Sequence, residues 1–214
     1  VLRVDDYPTR LLQTLMSLAP KKCDSSVPTV VLLTPGHLNS AYYEHTFLSD
    51  QMGIEMVEAQ DLFVENDFLY MKTVDGPKKI DVVYRRIDDD YLDPLAYNPN
   101  SVIGVPGITH VYKTGGVNIC SAPGAGIADD KAVYIYVPEM IKFYLGETPI
   151  LDNVQTWRCE RDDDLKYVLE NIDELVIKEV DGSGGHGMLI GPKSTKQEIE
   201  DFSSKLKFCL LYTS

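Results

Sequence analysis

The amino-acid sequence predicts a mixed α/β (α+β) protein, and three observations carry that expectation. "TVVLLT" (29–34), a helical pattern over 40–52 and "IEMVEA" (54–59) form a strand–helix–strand unit with short joints. Such a unit builds a parallel strand pair. Further apolar runs and helical patterns follow up to residue 206, without an internal repeat or a low-complexity tract. Late in the chain, "ELVIKEV" and "HGMLIG" flank a glycine-rich stretch as two strands.

The elements follow in order. Leu11, Leu12, Leu15 and Leu18 recur at helical spacing within 5–19, and "KKCDSSVP" is a linker. "TVVLLT" (29–34) is expected to form a buried strand, and "PGHLNS" breaks it. Ser40 is the expected N-cap of the 40–52 helix, which Gly53 ends. "LFVEN" and "FLYMKT" predict a hairpin turning at Asn66-Asp67, with "VDGPKK" as a further turn. "IDVVYRR" (80–86) predicts one buried strand, residues 98–110 a loop, and "VNICSAP" (117–123) another strand. "KAVYIYVPEMIKFYLG" (131–146) is helical but kinked or split by Pro138. "DDDLKYVLENID" (162–173) and "STKQEIEDFSSKL" (194–206) predict two more helices, the second capped by Ser194 or Thr195.

Composition narrows the function. The 214 residues are enough for a sizeable core and one or two domains. A net charge of −13 argues against a nucleic-acid partner, which needs a basic stripe, but leaves nucleotide binding open. No apolar run approaches the roughly 18 residues of a membrane span, so no membrane partner and a cytoplasmic location are expected. Cys23, Cys120, Cys159 and Cys209 are scattered, as reduced, inert thiols are, rather than spaced for zinc or a disulfide frame.

Four glycines fall in the six positions 182–187, and Gly182, Gly184 and Gly187 match G-x-G-x-x-G. A dinucleotide-binding turn requires a helix after the glycines, whereas "MLIGP" follows here. A Walker A loop requires adjacent Gly-Lys-Ser, and Pro192 interrupts Gly191-Lys193-Ser194. Two readings remain. One is a hairpin flap whose main-chain amides close on a triphosphate, with Lys178 on the strand leading into it. The other is a flexible hairpin tip beside a surface lysine.

Three other clusters stand out. Asp129 and Asp130 precede Lys131 at the mouth of a helix, where aspartates cap and a lysine opposes the helix dipole unless an anion offsets it. In "YRRIDDD", Arg85 and Arg86 end a strand and point to opposite faces. One would bind a substrate carboxylate or a γ-phosphate; the alternative is an ion pair with Asp88, Asp89 or Asp90. Those aspartates form either a Mg²⁺ contact or a solvated acidic turn. In "NSAYYEH", Asn39, Ser40, Glu44 and His45 follow a strand, with Ser40 as cap, Glu44 on the helix face and His45 structural.

Taken together, "TPGHLNSAYYEHTFLSDQMGIEMVEAQDL", "DVVYRRIDDDYLDPL", "SVIGVPGI", "GIADDKAVYIYVPEMIKFYLGETPIL" and "LVIKEVDGSGGHGMLIGP" resemble the circularly permuted ATP-grasp proteins related to glutathionylspermidine synthase. The resemblance implies a Rossmann-like pre-ATP-grasp domain over 27–110, then part of an ATP-grasp domain over 111–206. Residues 1–26 would be a helix and linker from a truncated preceding segment, and 207–214 a tail of sequencing origin. It implies an ATP-dependent carboxylate–amine ligase acting through an acyl phosphate. Its partners would be ATP and small carboxylate and amine substrates of amino-acid or peptide type. Lys131, Lys178, Gly182, Ser183, Gly184, Gly185, His186 and Gly187 would contact ATP. Mg²⁺ ligands would lie before residue 1, so the chain alone is expected not to turn over substrate. A non-catalytic nucleotide-binding or regulatory module is the alternative.

Overall fold

The computed structural model describes residues 4–180 and 187–209. The chain divides into two compact units, Val1–Ala125 and Gly126–Ser214. Helix Ile108–Lys113 therefore crosses residue 110 and belongs with the first unit.

In the first unit, α1 (Tyr7–Ser17) precedes β1 (Val30–Leu33), α2 (Tyr42–Met52) and β2 (Glu55–Val57). A meander follows: β3 (Leu62–Glu65), β4 (Phe68–Thr73) and β5 (Gly76–Ile80). Then come β6 (Val82–Arg85), α3 (Asp89–Leu92), α4 (Ile108–Lys113) and β7 (Asn118–Cys120). β1, β2, β6 and β7 form a parallel sheet in the order β2-β1-β6-β7. Both of its faces are covered, so β1 is apolar throughout and β6 is apolar at Val82 and Val83. Val30, Leu32 and Val82 pack under Leu15 of α1 and Leu48 and Met52 of α2. Val31, Leu33, Val83 and Ile119 pack on the other face, against the meander and Ile108 and Val111 of α4.

The expected βαβ unit is present: Val31 pairs with Glu55 and Leu33 with Val57 in parallel register. Gly53 ends α2 at φ 66°, a left-handed conformation that costs glycine little. The hairpin turns at Asn66 and Asp67, both at positive φ, with Glu65 paired to Phe68. Four expectations need correction. Ser40 does not cap α2; Ala41 holds that position without a side-chain bond, and Asn39 Oδ1 instead accepts from the Ala41 amide at 2.9 Å. "GPKK" is not turn but edge strand β5, where Pro77 is tolerated because no further strand needs its amide. The run 80–86 is not one strand. It breaks at Asp81, so Ile80 closes the meander and Val82 opens β6 of the other sheet. The predicted loop 98–110 ends in α4, whose first backbone amides are served by the Asp93 carboxylate.

The second unit holds α5 (Lys131–Tyr134), α6 (Val137–Leu145), α7 (Asp162–Glu170), β8 (Val176–Ile177), β9 (Leu189–Ile190) and α8 (Lys196–Cys209). Pro138 does split the 131–146 pattern, sitting in the first turn of α6 where no amide bond is lost. β8 and β9 pair antiparallel, Val176 with Ile190 and Ile177 with Leu189. Val168, Ile172 and Leu189 are its buried apolar residues. Thr195 and Glu198 close a reciprocal capping box on α8: the Thr195 amide reaches Glu198 Oε2 at 2.7 Å, and the Glu198 amide reaches Thr195 Oγ1 at 3.3 Å.

Asp93 is 1% exposed and accepts from the amides of Leu95, Gly107 and Thr109 at 2.9–3.0 Å. Asp93→Ala strands these donors and is expected to lower stability by about 1–3 kcal/mol, read as a drop in urea midpoint. Asp93→Asn, which keeps one acceptor, recovers part of the loss; an unchanged midpoint in Asp93→Ala removes Asp93 from this role.

Candidate functional site

Two regions gather the candidate residues, one in each unit. In the second unit, Asp130 Oδ1 accepts from the amides of Ala132 and Val133 at 2.7 and 3.1 Å and so caps α5. The cap holds Lys131 at the first helical position. From there its amide and its Nζ both reach the Val180 carbonyl, at 3.2 and 3.3 Å. The Asp-Asp-Lys segment is thus tied to the chain that leads out of β8 toward the glycine stretch. Lys178 lies on that same lead, just beyond β8, and is exposed.

Gly182, Ser183, Gly184, Gly185 and His186 fall outside the described residues. Gly187 is described, at φ 63°, and a Cβ there would run into the Glu179 carboxylate. The left-handed φ thus favours glycine where the chain returns to β9. Gly191 is equally constrained, because its amide bonds the Leu175 carbonyl at 2.8 Å and a Cβ would collide with the Ile172 carbonyl.

In the first unit the polar candidates collect at the C-terminal edge of the parallel sheet. The chain leaves β1 for β2 on one side and β6 for β7 on the other, so the order reverses between β1 and β6. Ligands of open parallel sheets bind in the crevice at such a reversal. Thr34 follows β1, Glu58 follows β2, and Arg85 and Arg86 end β6.

Arg85 and Arg86 do point apart. Arg85 is largely buried and pairs with Asp89, one of the three aspartates weighed for it. It also donates to the carbonyls of Ser121 at 2.7 Å, Ile87 at 2.6 Å and Ala122 at 3.2 Å. It fastens the chain after β7 to the chain after β6, and Asp89 Oδ2 adds a bond from the Gly124 amide at 2.8 Å. Arg86 instead meets Glu44 of α2 at 2.5 Å and lies against the Tyr84 ring. This pair is more open, with 27% and 54% of the two side chains exposed.

His45 is buried, and its Nδ1 lies 2.8 Å from Thr34 Oγ1, which also accepts from the Gly36 amide at 3.2 Å. Burial holds its pKa below the ordinary histidine value, the Arg86 charge pushes the same way, and Glu44 partly opposes them. A neutral imidazole results. Burial also raises the thiols of Cys120 and Cys159, which makes them poor nucleophiles, in keeping with the inert role expected of them. Among the described residues no group of three or more His, Cys, Asp or Glu side chains could hold a metal, and no helix is long and apolar enough to cross a membrane. Glu58 was not singled out from sequence. The signal that finds it is position: it is the first residue after a parallel strand, on the edge where such sheets bind ligands.

The fold is mixed α/β, built on a parallel sheet with helices. The family model described as "A circularly permuted ATPgrasp" matches residues 1–209, so the chain belongs to that family. It is 50% identical over 204 residues to an uncharacterized protein of Synechocystis sp., covering 95% of this chain and 42% of the relative. An uncharacterized Mycobacterium tuberculosis protein is 49% identical over 97% of this chain and 37% of its own length. A Frankia alni protein with the provisional name glutamate–cysteine ligase 2-3 is 40% identical over 93% of this chain and 23% of its own length. The chain thus spans less than half the length of each of these relatives.

A histidine held neutral by its fold contributes stability above its ordinary value of about 6.5. It loses that contribution as pH falls toward the folded value, because only the unfolded chain takes up the proton in between. Stability is therefore expected to fall below about pH 6.5, less steeply in His45→Gln, by urea titration across pH 5–7. Arg86→Gln should move the His45 titration upward in proton NMR; an unmoved titration breaks the coupling.

Proposed function

We propose that this chain supplies the phosphate-binding segments of an ATP-dependent carboxylate–amine ligase. The observation that carries the reading is the pair of hydrogen bonds, from the Lys131 amide and its Nζ, to the Val180 carbonyl. It joins the Asp-Asp-Lys segment to the lead that bears Lys178 and enters the glycine stretch. Two ammonium groups associated with one glycine-rich stretch suit a polyanion. The family supports ATP as that polyanion.

In this reading Lys131 and Lys178 neutralise charge on the phosphates, and the main-chain amides of residues 182–187 are assigned the same task. A substrate carboxylate takes the γ-phosphoryl group to give an acyl phosphate and ADP. An amine then attacks the acyl carbon, loses a proton and expels phosphate to leave the amide. Donors fixed before reaction are each worth on the order of 10²–10³ in rate, because they need no reorganisation as charge shifts. Mg²⁺, when bound, would neutralise charge on the phosphate oxygens, and its ligands are assigned outside the described residues.

Arg86 is the arginine assigned to a substrate carboxylate, since its partner Glu44 is itself half-exposed and exchangeable. Arg85 is assigned a positioning role, because its donors are engaged with carbonyls and Asp89. The name carried by the Frankia relatives favours amino acids as both acid and amine.

Calorimetric titration of Mg·ATP into the full-length gene product tests the assignment. Lys131→Ala and Lys178→Ala are each expected to weaken binding at least about tenfold, the loss of one charge-assisted contact. Unchanged affinity in both variants overturns it. Binding without ligation across amino-acid pairs would favour the regulatory module over the ligase.

A further inference from the structure

The ligase reading leaves the amine substrate without a seat. A small cavity of about 80 Å³ opens in the first unit where β1 and β2 end, walled by Thr34, Pro35, Glu58, Ala59 and Ile103. We propose that this cavity binds the ammonium head of the amine substrate, with Glu58 as its counter-charge. The proposal rests on the ligase reading for the word substrate, and on the cavity alone for the ligand's chemistry.

Glu58 sits just past β2, and its backbone is committed: its amide donates to Asp61 Oδ2 at 2.9 Å. Its half-buried carboxylate caps the short helix Ala59–Asp61, accepting from the Asp61 amide, and takes a bond from Gln60 Nε2 at 3.3 Å, but meets no cation among the described residues. A carboxylate partly withdrawn from water without a counter-charge is costly, and a cation supplied by a ligand removes that cost. Gly36 lies next to the lining residue Pro35 and beside the Glu58 carboxylate. At φ 98° it takes a conformation that suits glycine, and a Cβ there would stand 3.3 Å from Glu58 Oε1. The chain therefore passes close beside the carboxylate.

The remaining wall selects the kind of cation. Thr34 Oγ1 is already engaged by His45 and Gly36, so the cavity offers one carboxylate and few free oxygens. That is too sparse for a divalent metal, which takes six or more oxygen ligands. Pro35, Ala59, Val102 and Ile103 offer apolar contact to a few methylenes within a mixed lining that Thr34, Glu58 and Gln60 keep polar. The volume fits a head group rather than a nucleotide. A primary alkylammonium satisfies all three conditions, and the cavity lies on the same sheet edge as Arg86.

The experiment titrates n-butylamine, and butyrate as its charge-reversed counterpart, into the full-length protein labelled with ¹⁵N-glycine, following the Gly36 amide. Butylamine is expected to shift Gly36 saturably and butyrate to leave it unmoved. Glu58→Gln, which keeps an acceptor for the backbone, should weaken the effect at least about tenfold without changing the melting temperature, and Ile103→Trp should block it by filling the space. An unmoved Gly36 signal in the wild type, or equal binding in Glu58→Gln, overturns the proposal. Mg·ATP affinity measured on the same samples separates the two readings: intact lysine-dependent ATP binding beside absent amine binding removes the amine seat alone.

Discussion

Burial of the parallel sheet on both faces is the constraint from which the first unit follows. Val31, Leu32, Leu33, Val82 and Val83 are wholly buried, so neither face of the inner strands carries a polar group until the strands near their ends. Helices α1 and α2 occupy one face, and the meander with α4 occupies the other. Polar side chains must then emerge where the strands end. That displacement gathers Thr34, Glu58, Arg85 and Arg86 along one edge, although they are distant in sequence. The chemistry of the edge is thus a by-product of how the core excludes charge.

The two arginines at the end of β6 illustrate how one sequence feature separates into two roles. Strand alternation sends them to opposite sides. Arg85 enters a dense set of carbonyl acceptors and a carboxylate, which leaves it rigid. Arg86 turns toward α2, where its one carboxylate partner is open to water and where it also depresses the basicity of His45. Rigidity suits a fastener, and an exchangeable partner suits a ligand contact.

Much of the fold was legible because it is written in local periodicity. The helical spacing of Leu11 to Leu18, the β-branched run at 30–33, Gly53 at a helix end and Pro138 at a helix start are local signals, and each element appears where it was expected. The misses share a cause. Whether "GPKK" is turn or strand depends on β4 lying alongside, and the break at Asp81 depends on two sheets competing for one apolar run. α4 needs a carboxylate fourteen or more residues upstream to satisfy its first amides. The lysines were singled out from their setting beside glycines and a helix start. Glu58 was not, since an isolated acidic residue after a short strand carries no pattern until topology places it at an edge.

The junction at Asp81 has a consequence for how this family can vary. One residue separates the last strand of the meander from β6, and Asp81 itself bonds the Thr29 amide at 2.9 Å just ahead of β1. Adding or deleting a residue there would move every following side chain of β6 to the opposite face of the sheet, exchanging the layers that Val82, Val83 and the arginines meet. Length changes are therefore easier to absorb at hairpin tips, such as the Thr73–Gly76 bend, than at this junction. An alignment of homologues should run gapless from the meander into the arginine pair.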